Sequence, residues 1–210
     1  MTVHDVVQRS PAWYALRVGR LGASQAAAML ATGRSGEAIS RATLRQQLAA
    51  EQVTGRSYGS TFCSGPMRDG IDREPAALAA YEGETGRLVR RVGYVTHATI
   101  RAGVSPDAVV GDFDGLVEVK CPLARTHART AQRGDIPGTH EKQIVHALWL
   151  TGAAWCDWVS YDPTCPPAAQ LQILRVHRDA RTIAAYTFAV TCFLREVDQT
   201  VAALARTAVA

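Results

Sequence analysis

Ser105-Pro106-Asp107-Ala108-Val109-Val110-Gly111-Asp112-Phe113-Asp114-Gly115-Leu116-Val117-Glu118-Val119-Lys120 is the stretch on which the reading of this chain turns. Its two apolar runs are β-prone and flank Gly111-Asp112-Phe113-Asp114-Gly115, a turn-rich pentapeptide that reads as a hairpin connection. Alternate residues of a strand face the same side, so Glu118 and Lys120 project together while Val117 and Val119 face a core. Folding back at the pentapeptide brings Asp107 beside Glu118 on a neighbouring strand. Two carboxylates that close repel each other unless a cation lies between them.

Mg²⁺ suits such a pair, because it takes oxygen ligands, keeps several waters and uses one or two carboxylates plus a substrate phosphate. Lys120 beside the ion is expected to position or help deprotonate an attacking water, with the ion stabilising charge on a scissile phosphate. The expectation is a Mg²⁺-dependent nuclease centre on Asp107, Glu118 and Lys120. E-x-K alone is a common pattern that also fits an ordinary surface ion pair. Asp112 and Asp114 compete as ligands, but their glycine neighbours make them better turn residues.

On either side of the hairpin the periodicity predicts the rest of the fold. Residues 89–96, 100–108 and 116–121 read as short strands in a three-strand meander. Residues 10–31 read as helical, with Ser10 as cap and Pro11 at the first helical position; Ser24 is expected to cap a second short helix ending near Gly33. Residues 37–54 carry Ile39, Leu44, Leu48 and Val53 at helical spacing, closed by Gly55. Residues 64–84 form another helix, which Pro75 either starts or bends. A helix over 139–151, strands over 155–161 and 171–177, and a long amphipathic helix capped by Asp179 complete the chain. This order predicts an α/β fold with a mixed central β-sheet flanked by helices, in a single domain over residues 1–210.

Composition narrows the classes. The chain has 210 residues, 47% of them apolar, enough for a sizeable core. Charges at Asp5, Arg9, Arg17 and Arg20 interrupt the start, and no apolar run reaches the roughly 18–20 residues of a membrane span, so a soluble cytoplasmic protein is expected. Five cysteines without a CxxC pair fit reduced thiols better than a disulfide framework, zinc site or iron–sulfur site. The net charge of +4 is mild, but 21 of the 23 basic residues are arginine. Lys120 and Lys142 therefore stand out, since lysine offers a compact ammonium where arginine offers a planar fork. Arg125, Arg129 and Arg133 recur every four residues and would form a basic stripe on a helix, suited to a DNA backbone or equally to a solvated face.

At these residues the chain resembles the lambda exonuclease family, the YqaJ-type viral recombinases of the restriction-endonuclease-like superfamily. The resemblance runs over residues 10–163 and rests on several motifs in order. Trp13-Tyr14-Ala15-Leu16-Arg17 followed by Gly22-Ala23-Ser24 is similar to the family's opening. Gly70-Ile71-Asp72-Arg73-Glu74-Pro75, with Tyr81-Glu82 and Thr85-Gly86, looks like its glutamate-bearing helix. Ser105-Pro106-Asp107 and Glu118-Val119-Lys120-Cys121-Pro122 match its nuclease core, and Gln143, Trp149 and Tyr161-Asp162-Pro163 complete the set. The resemblance implies that Asp107, Glu118 and the Val119 carbonyl bind Mg²⁺, with Mn²⁺ as a substitute. It further implies that Lys120 orients the water, Glu74 sits near the metals, Gln143 completes the site, and Arg17 and Ser24 hold a 5′-terminal phosphate. The chain departs from the family at His140, where a tyrosine is expected; His140 shares a helix face with Gln143 and either contacts phosphate or stands idle in solvent.

The implied activity is 5′→3′ digestion of linear double-stranded DNA ends, releasing mononucleotides and leaving a 3′ strand for phage-type recombination. The implied partners are DNA ends and a single-strand annealing protein, in a homotrimeric ring without membrane association. Two rivals belong to the same superfamily: an endonuclease, and an iron–sulfur exonuclease, which would need a cysteine cluster that Cys156, Cys165 and Cys192 do not form. A third is a non-catalytic DNA-end-binding module.

Overall fold

A computed structural model describes residues 1–58 and 65–207 of the chain. In chain order the elements are β1 (Thr2–His4), α1 (Pro11–Arg17), β2 (Leu21–Gly22), α2 (Ala26–Met29), α3 (Ile39–Thr54), α4 (Gly65–Thr85), β3 (Val89–Arg90), β4 (Tyr94–Thr96), β5 (Ala102–Val104), β6 (Ala108–Val110), β7 (Gly115–Lys120), α5 (Ala124–Arg133), α6 (Gly138–Thr151), β8 (Trp155–Tyr161), β9 (Leu171–His177) and α7 (Ala180–Thr207). The strands form two sheets, ordered β1-β4-β5-β2 and β3-β6-β7-β8-β9. Each is mixed: β2 runs parallel to β5, and β7 runs parallel to β8, while the other pairs are antiparallel.

β7 is central, and both its faces are covered. Val117 and Val119 pack with Ala77, Leu78 and Tyr81 of α4. Leu116, on the other face, joins a core built from α3, α6 and α7 with Leu48, Ile144, Leu148, Val190 and Phe193. Each of these aliphatic or aromatic side chains contributes roughly 1.5–3 kcal/mol on full burial. Polar pins add direction to this packing. Asp157 of β8 accepts from the Tyr81 hydroxyl at 2.7 Å and from Arg175 Nε and Nη2 of β9 at 2.7 and 2.8 Å, which ties α4 to the sheet. His127 of α5 is buried between the Ser160 hydroxyl at 2.8 Å and the Ala169 carbonyl at 2.7 Å. The carbonyl can only accept, so Nε2 carries the proton and Nδ1 accepts from Ser160.

The hairpin, β8, β9, the helix over 139–151 and the Asp179 cap follow the expected pattern; Asp179 Oδ2 accepts from the Thr182 N–H at 2.7 Å. The helix expected over 64–84 runs Gly65–Thr85 through Pro75, so it does not start there; its expected first residue, Ser64, lies outside the described residues, as does Cys63.

Two expectations fail. Residues 10–31 are not continuously helical. Ser10 does cap α1, accepting from the Trp13 N–H at 3.2 Å, but α1 ends at Arg17. Gly19 then turns the chain at φ +65, its N–H bound by Glu51 Oε2 at 2.8 Å and its carbonyl by Gln52 Nε2 at 3.1 Å. A side chain there would meet Gln52 and require a conformation L-residues rarely adopt. β2 follows, and Gly22 rather than Ser24 starts the next turn: its N–H donates to Gln25 Oε1 at 2.8 Å, leaving Ser24 exposed inside a short 3₁₀ turn.

The three-strand meander is likewise replaced by five short strands shared between two sheets. The run over 89–96 breaks at residues 91–93, where a Cβ on Gly93 would lie 2.1 Å from the Val6 carbonyl oxygen of the crossing N-terminal segment. The run over 100–108 breaks at Ser105-Pro106-Asp107, and the single central sheet becomes two.

Candidate active site

The β6–β7 register pairs Ala108 with Val117 and Val110 with Gly115. Continued by one residue, it sets Asp107 opposite Glu118. Asp107 Oδ2 accepts from the Val119 N–H at 2.7 Å, so its carboxylate reaches across to β7. In an extended strand the N–H and C=O of one residue leave toward the same edge, which turns the Val119 carbonyl to the Asp107 side. Asp112 and Asp114 lie in the turn at the opposite end of the hairpin and share no site with Glu118.

Glu118 is buried at 5% exposure, and its Oε1 takes two donors. Lys120 Nζ is one; Gln143 Nε2 from α6 is the other, at 2.5 Å. Among the described residues no hydrogen bond reaches Glu118 Oε2 or Asp107 Oδ1, so each carboxylate keeps one oxygen for another ligand. Burial, then the charge of Glu118, push the Asp107 carboxyl well above the usual carboxylate range. For Lys120 burial pulls downward, but the charges of Glu118 and Asp107 outweigh it and hold the ammonium protonated.

This donor set fits a hard divalent ion. Two carboxylates with a free oxygen each, and a backbone carbonyl on the same edge, match the few protein ligands Mg²⁺ takes. A softer ion fits poorly. Cys121, next in sequence, has its thiol pushed up to about 11 by burial and the charge of Glu74. Among the described residues no group of three or more His, Cys, Asp or Glu side chains is arranged to hold a metal, as a zinc site would require.

Glu74 lies on α4, the helix that covers the Val117 face, and its charge is felt by both Asp107 and Lys120. It is held by Arg91, which donates to Oε1, and by Arg9, at 3.7 Å from Oε2. Neither partner was legible in the sequence. His140 sits one helical turn before Gln143 and is half-buried, which excludes the idle exposed histidine. Its ring lies 5.8 Å from that of Trp158, the β8 residue registered against Glu118, and its buried Nδ1 has no hydrogen-bond partner among the described residues. Burial and the nearby Lys120 charge lower its pKa and favour the neutral ring.

Arg17 ends α1 with its guanidinium 4.1 Å from the Trp13 ring centroid and 5.8 Å from that of Tyr94. Burial lowers its pKa, and among the described residues it has no ion-paired carboxylate. A half-buried cation without a counter-ion is a ready anion site. Gly22 makes room for it: a Cβ there would stand 3.4 Å from Arg17 Nη2. Ser24 follows two residues later in the chain, exposed in its 3₁₀ turn. Trp13 links this corner to the carboxylates, its Nε1 donating at 2.6 Å to Ser105 Oγ, two residues before Asp107. Ser105 in turn donates to the Gly93 carbonyl at 2.8 Å. Beyond β7, Arg125, Arg129 and Arg133 do lie on a helix, α5, and all three are exposed, opposite its buried His127 and Thr130. Lys142 is exposed on α6, away from the role its rarity suggested.

The fold is shared with known proteins. The chain is 35% identical to an alkaline exonuclease, LHK-Exo, from Laribacter hongkongensis, with TM-score 0.86 over 95% of this chain and 98% of that one. A structure of LHK-Exo in complex with dAMP matches at 36% identity with the same TM-score and coverage. A phage-related exonuclease from Haemophilus somnus 129PT shares the fold, with TM-score 0.66 at 12% identity over 88% of this chain and 96% of that one. No curated protein matches. Among the described residues no helix is long and apolar enough to cross a membrane. The restriction-endonuclease-like fold implied by the family resemblance is the one observed, and the YqaJ-like viral recombinase domain matches residues 12–154. The chain belongs to the YqaJ-like viral recombinase family.

Proposed function

We propose that this protein is a Mg²⁺-dependent exonuclease that digests linear double-stranded DNA from the 5′ end and releases mononucleotides. The observation that carries the reading is the convergence of Asp107, Glu118, Lys120 and Gln143, with one oxygen of each carboxylate uncommitted among the described residues. LHK-Exo, an alkaline exonuclease solved with dAMP, supports a nucleotide as the ligand class.

Asp107, Glu118 and the Val119 carbonyl would hold Mg²⁺, with Mn²⁺ as a substitute. When bound, the ion supplies Lewis-acid stabilisation of charge on the scissile phosphate. Lys120, fixed by Glu118, orients the attacking water, and Gln143 holds Glu118 in place. Arg17 binds the 5′-terminal phosphate through its guanidinium fork, with Ser24 beside it, and His140 lines the substrate path from α6. The Arg125, Arg129 and Arg133 stripe meets the duplex backbone. The same reading gives the protein a place in phage-type recombination in the bacterial cytoplasm. It acts there as a homotrimeric ring that hands the 3′ strand to a single-strand annealing protein.

The test is a linear duplex labelled at either end, incubated with and without Mg²⁺. Label should leave the 5′ end first, as a mononucleotide, and only with the ion. Release from the 3′ end first overturns the polarity, and equal cutting of closed circular DNA favours an endonuclease.

A further inference from the structure

Glu74 is one carboxylate shared by two guanidiniums: Arg91 donates to Oε1, and Arg9 lies 3.7 Å from Oε2. The carboxylate is tucked in at 12% side-chain exposure, whereas Arg9 and Arg91 stand 46% and 56% exposed. Glu74 alone therefore offsets only one of the two guanidinium charges it contacts, and both guanidiniums face outward, with Asp5 also on the rim of the cleft. The two arginines line an open cleft with Asp5, Gln8 and the backbone at Val92 and Gly93. The cleft is tied to the catalytic strand, because Gln8 Nε2 donates to the Val92 carbonyl at 3.0 Å and to the Pro106 carbonyl at 3.1 Å, one residue before Asp107.

Arg9 adopts φ +67, a left-handed conformation costing a non-glycine residue about 1 kcal/mol or more. It is held there between the anchored Gln8 and the Ser10 cap of α1. A surface arginine with no task has no need of that strain.

We propose that Arg9 and Arg91 form a binding site for a backbone phosphate of the DNA, distinct from the Arg17 corner. This rests on the nuclease reading above. Glu74 is near enough for its charge to act on Asp107 and Lys120, and Gln8 ties the cleft to Pro106, so a strand bound at Asp107 and Glu118 would extend toward the two arginines. A phosphodiester offers two oxygens that match the guanidinium fork. On arrival the phosphate replaces Glu74 as partner of one or both arginines.

The test is equilibrium binding of a fluorescent linear duplex in EDTA across a range of salt, for the native protein and for Arg9→Gln, Arg91→Gln and Glu74→Gln. Each arginine variant should raise Kd about fivefold and lower the slope of log Kd against log salt by about one phosphate's worth. Glu74→Gln should lower Kd about threefold, because it frees both guanidiniums for the strand. Unchanged binding in the arginine variants overturns the site. So does weaker binding by Glu74→Gln, which would show that the arginines serve only to orient that carboxylate. Mg²⁺-dependent nucleotide release by the native protein, measured in parallel, separates the two claims. Binding in the expected pattern without release refutes the nuclease reading and leaves the phosphate site standing, whereas release with unaltered variant binding refutes the site alone.

Discussion

At the level of single residues, the site is a problem of like charges solved by geometry. Asp107 and Glu118 face each other across the hairpin while one ammonium, Lys120, sits on Glu118. Glu118→Gln keeps the shape and the Gln143 contact but removes the charge that an ion needs. Its cleavage rate should fall roughly a thousandfold, the upper end of what one electrostatic group supplies. Asp107→Asn should do the same, and DNA-end binding in EDTA should persist in both; near-native turnover in either variant overturns the metal assignment. Gln143→Ala leaves the charges alone and loosens Glu118, so it should cost about 10–100-fold and raise the Mg²⁺ concentration needed for half-activity. Arg17 poses the complementary question. Lacking an ion-paired carboxylate among the described residues, it should discriminate ends: Arg17→Ala slows digestion of 5′-phosphorylated duplex and leaves 5′-hydroxyl duplex nearly unaffected. Equal slowing on both ends rejects a terminal-phosphate role.

Secondary-structure elements were legible where their own side chains determine them and illegible where a distant strand does. β8 and β9 are β-prone runs of seven residues each and match expectation to the residue. β2, by contrast, is two residues long and exists because Ala102 and Gly103 lie beside it; nothing in residues 10–31 encodes that neighbour. The break at residues 91–93 has the same origin, in a crossing N-terminal segment. In the candidate site, the meeting of Asp107, Glu118 and Lys120 was legible from hairpin arithmetic alone. Gln143, Glu74 and Arg17 came through the motif resemblance. Arg9, Arg91 and Trp158 were silent, since contacts between distant segments leave no periodic trace. α4 shows how an element is then held. The Tyr81 hydroxyl gives it a charge-assisted bond to Asp157, so Tyr81→Phe should destabilise the protein by about 1.5–3 kcal/mol, seen as a lower urea midpoint at constant m. Because Tyr81 lies two helical turns from Glu74, cleavage at 25 °C should change less than about twofold. A large loss of turnover with native stability would mean that the triad serves the chemistry instead.

On the scale of the whole molecule, β5, α6 and α7 meet around a histidine. His146 of α6 is fully buried, its Nε2 donating to the Gly103 carbonyl of β5 at 3.1 Å. Its Nδ1 accepts from the Tyr186 hydroxyl of α7 at 2.8 Å. The rings of Trp149 and Tyr186 stand edge-on at 5.4 and 5.8 Å. Burial drives its pKa down from 6.5 to about 4, only partly opposed by the Gly103 bond. The unfolded chain therefore takes up a proton near pH 6.5 that the folded protein refuses until about pH 4. Because the folded pKa is the lower one, the contribution is fully present above the unfolded value. It is lost as pH falls through that window, by an amount on the order of 3 kcal/mol. Urea midpoints should thus fall steeply between about pH 7 and about pH 4.5. His146→Asn should start lower, having lost packing and a hydrogen bond, but fall less over the same interval because it has no proton to gain. Parallel slopes in the two proteins would show that this histidine does not set the acid limit of the fold.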